Sequence, residues 1–340
     1  MAALACLTAA CTYKDDAQEK EYAQYVRLSE SVKFMVAGEE ADLHAVFTPR
    51  GTAYEVEWES DAPAVAQVEE GRVRALSGGR AQIAVKIVNT THKAVCEVIV
   101  SEKQVSEKFA GREDAAHFSS PDGALAACED GDTVLFFRGY YACGEKVDKN
   151  VKLLGEQGVF IGGLTVADGA CVSLENIGFY TSSAADTASL TVEEGCGAVL
   201  ENCRFIYDVK ELLPGSDAFE EKEQGKQEKE EELPRGAKGR TALTLEPGFA
   251  ELKMSGCAFS GYECALDVLP SDAEIFVRDN TFTDCAVAIR VDVRAENTQN
   301  TALHGIIQSN VFSGVEHPTV FNYNGGLYMG KLKFDDYIKK

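Results

Sequence analysis

The chain has 340 residues, more than one hydrophobic core usually serves, which implies at least two domains. Hydrophobic residues make up 45%, enough for packed cores and too many for a chain that stays unfolded. Its 55 acidic against 33 basic residues give a net charge of −22, which excludes nucleic acid and anionic membrane surfaces as partners, and no apolar run approaches the ~20 residues of a membrane-spanning helix.

Met1 to Ala10 is apolar and rich in small residues, and Cys11 then opens a polar stretch. A hydrophobic run ending in small residues and a Cys resembles the lipobox of bacterial lipoproteins. The resemblance implies acylation of Cys11 and attachment to a membrane only through that lipid. Two features depart from the pattern: Thr8, not Leu, stands three residues before the Cys, and a basic leader is missing. Ten residues are also short for a signal, which points to a true start further upstream. The alternative is an apolar N-terminus with two incidental cysteines. Beyond Cys6 and Cys11, nine cysteines remain: Cys96, Cys128, Cys143, Cys171, Cys196, Cys203, Cys257, Cys264 and Cys285. They form no CxxC pair and no Cys/His pair at zinc spacing, so they are expected as free, mostly buried, small apolar residues. That usage fits export into an anaerobic environment.

From Val26 to Val100 short alternating segments recur between turn signals, as in Tyr54 to Ser60 and Ala81 to Val85. The spacing predicts a sandwich of about seven strands. Trp58, the single Trp, is expected at the centre of its core. Four motifs stand in order: Trp58-Glu59-Ser60; Asp61-Ala62-Pro63-Ala64-Val65-Ala66-Gln67-Val68; Gly71-Arg72-Val73-Arg74-Ala75; and Gly79-Arg80-Ala81-Gln82-Ile83. Together they resemble the bacterial Ig-like domain, group 2. The resemblance implies a surface spacer or adhesion module with no cofactor and no catalytic residue.

The rest of the chain repeats. A Phe closes each of five units: Leu174 to Phe179, Leu200 to Phe205, Met254 to Phe259, Val277 to Phe282 and Ile307 to Phe312. Short strands open at Leu164, Leu190, Leu243, Leu266 and Ile289; the first two lie 26 residues apart and the last three follow at 23. Such a period with short β segments means a solenoid, and the leucine-rich pattern Leu-x-x-Leu-x-Leu is missing. A parallel β-helix satisfies the pattern, because stacked coils pair every backbone group and align like side chains. The Phe residues then form an inner stack, Cys203 sits beneath Cys257, and Asn176 and Asn202 are expected as a ladder at a turn. Ser120 to Cys128 reads as a short amphipathic helix, followed by Gly131-Asp132-Thr133-Val134, Gly139-Tyr140-Tyr141 and Val151-Lys152-Leu153-Leu154-Gly155. This entry is similar to the start of the pectin-lyase-like right-handed β-helix superfamily, with the helix capping the open coil. The resulting division is all-β: 1–11 signal-like segment, 12–25 linker, 26–103 Ig-like domain, 104–118 linker, 119–330 β-helix and 331–340 tail. An acidic insertion at about 208–240 is expected as a solvated loop, and calcium binding there lacks ordered ligand spacing. A shorter insertion spans Arg294 to Thr301.

Relatives in the superfamily include polysaccharide lyases, pectin esterases and glycoside hydrolases, whose chemistry needs clustered carboxylates on one outer sheet. The outward column of the short strands reads Thr165, Thr191, Thr244, Asp267 and Arg290, with Asp292 and Arg294 following. Asp267, Arg290 and Asp292 are the candidate catalytic residues, and with Arg294 the candidate ligand-binding set. The competing reading is a plain cross-strand ion pair. Asp279 and Asp284 read as turn residues, and the five His are scattered. A second outward column reads Ser173, Val199, Lys253, Phe276 and Ile306, expected under a loop or as a contact patch. The sequence therefore describes an extracellular or cell-surface protein whose Ig-like spacer carries a noncatalytic glycan-binding or adhesion β-helix. Its expected partner is a polysaccharide or a surface protein. The alternatives are a polysaccharide lyase or hydrolase, against which the net charge disfavours a polyuronate substrate, and a purely structural envelope protein.

Overall fold

The computed structural model describes residues 25–49, 54–142, 144, 146–181, 188–207, 241–292, 304–322 and 332–338. The signal-like segment with Cys11, both insertions and Arg294 lie outside the described residues. Contacts divide the chain into two units. One takes residues through Lys33 with Glu40–Arg74 and Arg80–Val98; the other takes Phe34–Glu39, Ala75–Gly79 and everything from Ile99 onward.

The smaller unit is built on antiparallel pairs. Tyr25–Leu28 pairs with Ala45–Thr48, Glu40–Asp42 with Arg72–Ala75, and Val56–Ser60 with Gly79–Ile87. Alternation sets the faces: Val73 and Ala75 are buried while Arg72 and Arg74 are exposed. Leu43, Ala66, Val73, Ile83, Val85 and Val98 fill the core. Trp58, expected at its centre, is instead half-buried. The reason is its strand: Val56–Ser60 ends its four-stranded sheet, so Trp58 stands at a margin. There it packs on Gly71, where a Cβ would meet the Leu43 carbonyl oxygen at 2.6 Å and the indole at 3.1 Å.

The larger unit is a parallel β-helix. Strands Leu164–Val166, Leu190–Val192, Thr241–Leu245, Cys264–Val268 and Val287–Asp292 pair in that order in a seven-stranded sheet. Cys171–Glu175, Gly197–Glu201, Glu251–Ser255 and Glu274–Arg278 form a second file, and Gly178–Thr181, Arg204–Tyr207, Ala258–Ser260 and Thr281–Thr283 a third. His304–Ser313 runs through both of the latter, which makes them one sheet by pairing. Helix Pro121–Ala126 carries Pro at its start and feeds Ala124 and Leu125 into the solenoid core. Two stretches without a strand expectation join the array. At the start of 104–118, read as a linker, Gln104 and Val105 continue a strand from Lys103 that pairs with Thr133–Phe136, and both pair with His117–Phe118. Within the 331–340 tail, Leu332–Ile338 pairs with His304–Ser313. Neither stretch carries the Phe-ended repeat by which the coils were recognised.

Inside, Phe179, Phe205, Phe259, Phe282 and Phe312 stack with centroids 4.7, 4.6, 5.0 and 5.3 Å apart. Each buried ring contributes on the order of 1.5–3 kcal/mol, and each stacked pair about 0.5–1.5 kcal/mol more. Beside it runs a second inward file, from Ile177 through Cys203, Cys257 and Asn280 to Asn310. Cys203 and Cys257 stack as expected; burial and a hydrogen bond with Cys203 push the Cys257 thiol well above its ordinary value. The asparagine ladder is displaced from its expected place. Asn176 and Asn202 take left-handed backbone at φ 57° and 54°, with Asp279 and Ser309 at the same turn in later coils. The hydrogen-bonded pair is the residue after that turn, Asn280 and Asn310. Asp284 is also left-handed, in keeping with a turn role.

Candidate functional site

The short-strand column assembles in the expected order. Lys146 pairs with Thr165, Thr165 with Thr191, Thr191 with Thr244, Thr244 with Asp267, and Asp267 with Arg290. The three threonines are half-buried and point out of a wall whose inward residues, such as Leu190, Val192 and Leu243, are fully buried. In-register stacking thus makes a file of hydroxyls at ~4.8 Å spacing.

At its lower end the file becomes an ion pair. Arg290 Nε donates to Asp267 Oδ1 at 2.8 Å, and Nη2 donates to Oδ2. This forked geometry occupies both carboxylate oxygens. The sheet was expected to be exposed here, but the Asp267 side chain is only 10% accessible and that of Arg290 32%. Asp292 is buried as well, and Arg294 is outside the described residues. The hydrogen bonds to Asp267, with the charge of Asp292 behind them, raise the Arg290 guanidinium above its ordinary value. Nearby, burial pushes the Cys264 thiol up to about 12, far from a nucleophile at neutral pH. The structure therefore brings Asp267 and Arg290 together as a locked pair. A carboxylate so held is a poor general acid or base, because protonation would break two charged hydrogen bonds.

The second outward column is also in register: Ser173 with Val199, Val199 with Lys253, Lys253 with Phe276, and Phe276 with Ile306. Val199, Phe276 and Ile306 are half-buried. The insertion expected to cover them lies outside the described residues. His117 sits against Asp114, its Nδ1 3.0 Å from Oδ1, with Phe109 edge-on to the ring. Among the described residues no group of three or more His, Cys, Asp or Glu is placed to hold a metal ion.

One feature escaped the sequence reading. In the smaller unit the outer face of Glu40–Asp42, Arg72–Ala75 and Ala66–Glu69 forms a groove of about 480 Å³ beside Trp58. Its recognisable signal was a lone Trp in a strand that alternates with Glu.

Residues 23–98 match the bacterial Ig-like domain (group 2). The match confirms the motif reading, which began at 26 and ran to 103. Domains of this family occur in surface or extracellular bacterial proteins. Among the described residues no helix is long and apolar enough to cross a membrane. A search of curated proteins found no match to the chain.

Proposed function

We propose that the chain is a displayed surface module whose parallel β-helix binds a glycan without cleaving it, with the Ig-like domain holding it away from the envelope. The observation that carries this reading is the Asp267–Arg290 fork, which ties one candidate acid of the sheet to a partner in the next strand, while the other, Asp292, is buried. Above that pair Thr165, Thr191 and Thr244 leave a file of half-exposed hydroxyls, suited to hydrogen-bonding a polyol. Lipid attachment at Cys11 belongs to the same proposal, supported by the apolar run before it. So does kinship of the solenoid with pectin-lyase-like proteins, supported by the helix at Pro121–Ala126 and the Gly139-Tyr140-Tyr141 strand.

The test mixes the full chain with cellulose, chitin and polygalacturonate, with and without calcium, and follows both co-sedimentation and chain cleavage. Co-sedimentation with a neutral polymer and no cleavage is expected. Cleavage that Asp267→Ala abolishes would replace the reading with a lyase or hydrolase. Binding to none of the three would replace it with a structural role or a protein partner.

A further inference from the structure

The groove of the smaller unit has the makings of a site in its own right, apart from the solenoid. Strand alternation lays Glu40, Arg72, Arg74, Gln67 and Glu69 on the outer face of one three-stranded sheet, and all five are exposed. Trp58 lines one side of the groove that this face floors. Its volume of about 480 Å³ falls within the ~300–1,000 Å³ usual for small-molecule sites.

Three properties of that lining select a ligand class. The first is the half-buried indole, held in place by its packing on Gly71, which offers a rigid apolar platform. The second is a pair of uncommitted planar polar groups: among the described residues neither the Gln67 amide nor the Arg74 guanidinium has a side-chain hydrogen bond or ion pair. By contrast Arg72 lies 3.5 Å from Asp42 and 3.9 Å from Glu40, and Ser60 Oγ donates to the Ala66 carbonyl at 2.7 Å. The third is charge: Glu40 and Glu69 of the lining offset Arg72 and Arg74, Asp42 on the same face also faces Arg72, and the chain's net charge is −22. A groove with no excess of positive charge, in a strongly negative field, disfavours anions. A pyranose matches all three, since its C–H face stacks on an aromatic ring and its hydroxyls bond in pairs to planar amide and guanidinium groups.

We propose that the groove beside Trp58 is a binding site for a neutral saccharide, so that the Ig-like unit contributes recognition as well as reach. The proposal does not depend on the threonine file of the solenoid.

Trp58 is the single Trp of the chain, so the tryptophan emission of the intact protein reads this groove and nothing else. The experiment titrates the full chain with cellohexaose and with chitohexaose, using hexagalacturonate as the anionic comparison. A saturable change in emission with a neutral hexasaccharide is expected, weakened about tenfold by Gln67→Ala and by Arg74→Ala. The emission of the ligand-free variants should match that of the parent, which shows that the groove is still folded. No saturable change with either neutral sugar, a change with hexagalacturonate alone, or a change indifferent to both substitutions would each overturn the proposal. Co-sedimentation of Trp58→Phe with the polymers separates the two readings. Retained binding there locates a site on the solenoid, and lost binding with a positive titration places recognition in the groove alone.

Discussion

Asn280 and Asn310 stack in successive coils of the solenoid, the Nδ2 of Asn280 donating to Oδ1 of Asn310 at 3.1 Å, with both residues wholly buried. The pair serves the turn's backbone as well. Asn280 Oδ1 accepts from Cys257 N at 2.9 Å, Asn310 Oδ1 accepts from Asn280 N at 3.0 Å, and Asn310 Nδ2 donates to the Val277 carbonyl at 2.9 Å. Backbone bonds between coils continue on either side of this position, as from Asp279 N to the Gln308 carbonyl and from Thr281 N to the Cys257 carbonyl, and the two amides supply the partners for Cys257 N and Asn280 N between them.

Asn280→Ala is therefore expected to destabilise the protein by about 1–3 kcal/mol for each buried polar group left without a partner. Asn176→Ala, which only exchanges the side chain at a left-handed turn, should cost about 1–2 kcal/mol. Urea unfolding of the two variants measures the difference, and equal losses would contradict the ladder's role.

The aromatic file makes a graded prediction. Phe259 has a stacked ring on either side, whereas Phe312 has one neighbouring ring among the described residues. Phe259→Ala should cost about 3–5 kcal/mol and lower the unfolding midpoint more than Phe312→Ala. Calorimetry of both variants checks the order.

A double-mutant cycle tests the ion pair. Asp267→Ala leaves a half-buried guanidinium without its acceptor, so it should cost about 1.5–3 kcal/mol. Asp267→Ala with Arg290→Ala should cost less than the two single losses added, by a coupling of at least ~1 kcal/mol. Additive losses would show that the fork contributes nothing to stability.

Alkaline pH should weaken the fold. Burial holds Cys264 up to about 12 and Cys128 up to about 11, above an ordinary thiol value of 9.0, and Tyr141 up to about 12 against 10.0. The native state keeps these protons where the unfolded chain has lost them. Stability from these groups is thus complete below pH ~9 and falls as pH rises toward ~12, by at most ~1.4 kcal/mol per pH unit for each group. Urea midpoints at pH 8 and pH 10.5 should show the fall, and Cys264→Ala should shrink it.

The threonine file is tested by changing chemistry at constant shape. Replacing Thr165, Thr191 and Thr244 by Val keeps the β-branched side chains and removes three hydroxyls. Affinity for the bound polymer should drop about tenfold or more with little change in the unfolding midpoint. Unchanged co-sedimentation would move recognition off this sheet.

The solenoid was legible because in-register stacking turns a distance along the chain into contact in space. A 23-residue period in the sequence is enough to place Asp267 beside Arg290 and Phe259 beside Phe282. The Ig-like unit was legible through motifs in which glycines and alternating apolar residues recur at set spacings. What the chain could not disclose depends on which neighbours a side chain meets. Trp58 left the core because its strand ends a sheet, and that follows from pairing order, not from local pattern. Asp267 and Asp292 lost their exposure through surroundings that no residue in their own strands reveals. The ladder settled on Asn280 and Asn310, one residue past the turn, because only folded coils show which position points inward. Periodicity encodes register, whereas burial is a property of the assembled whole.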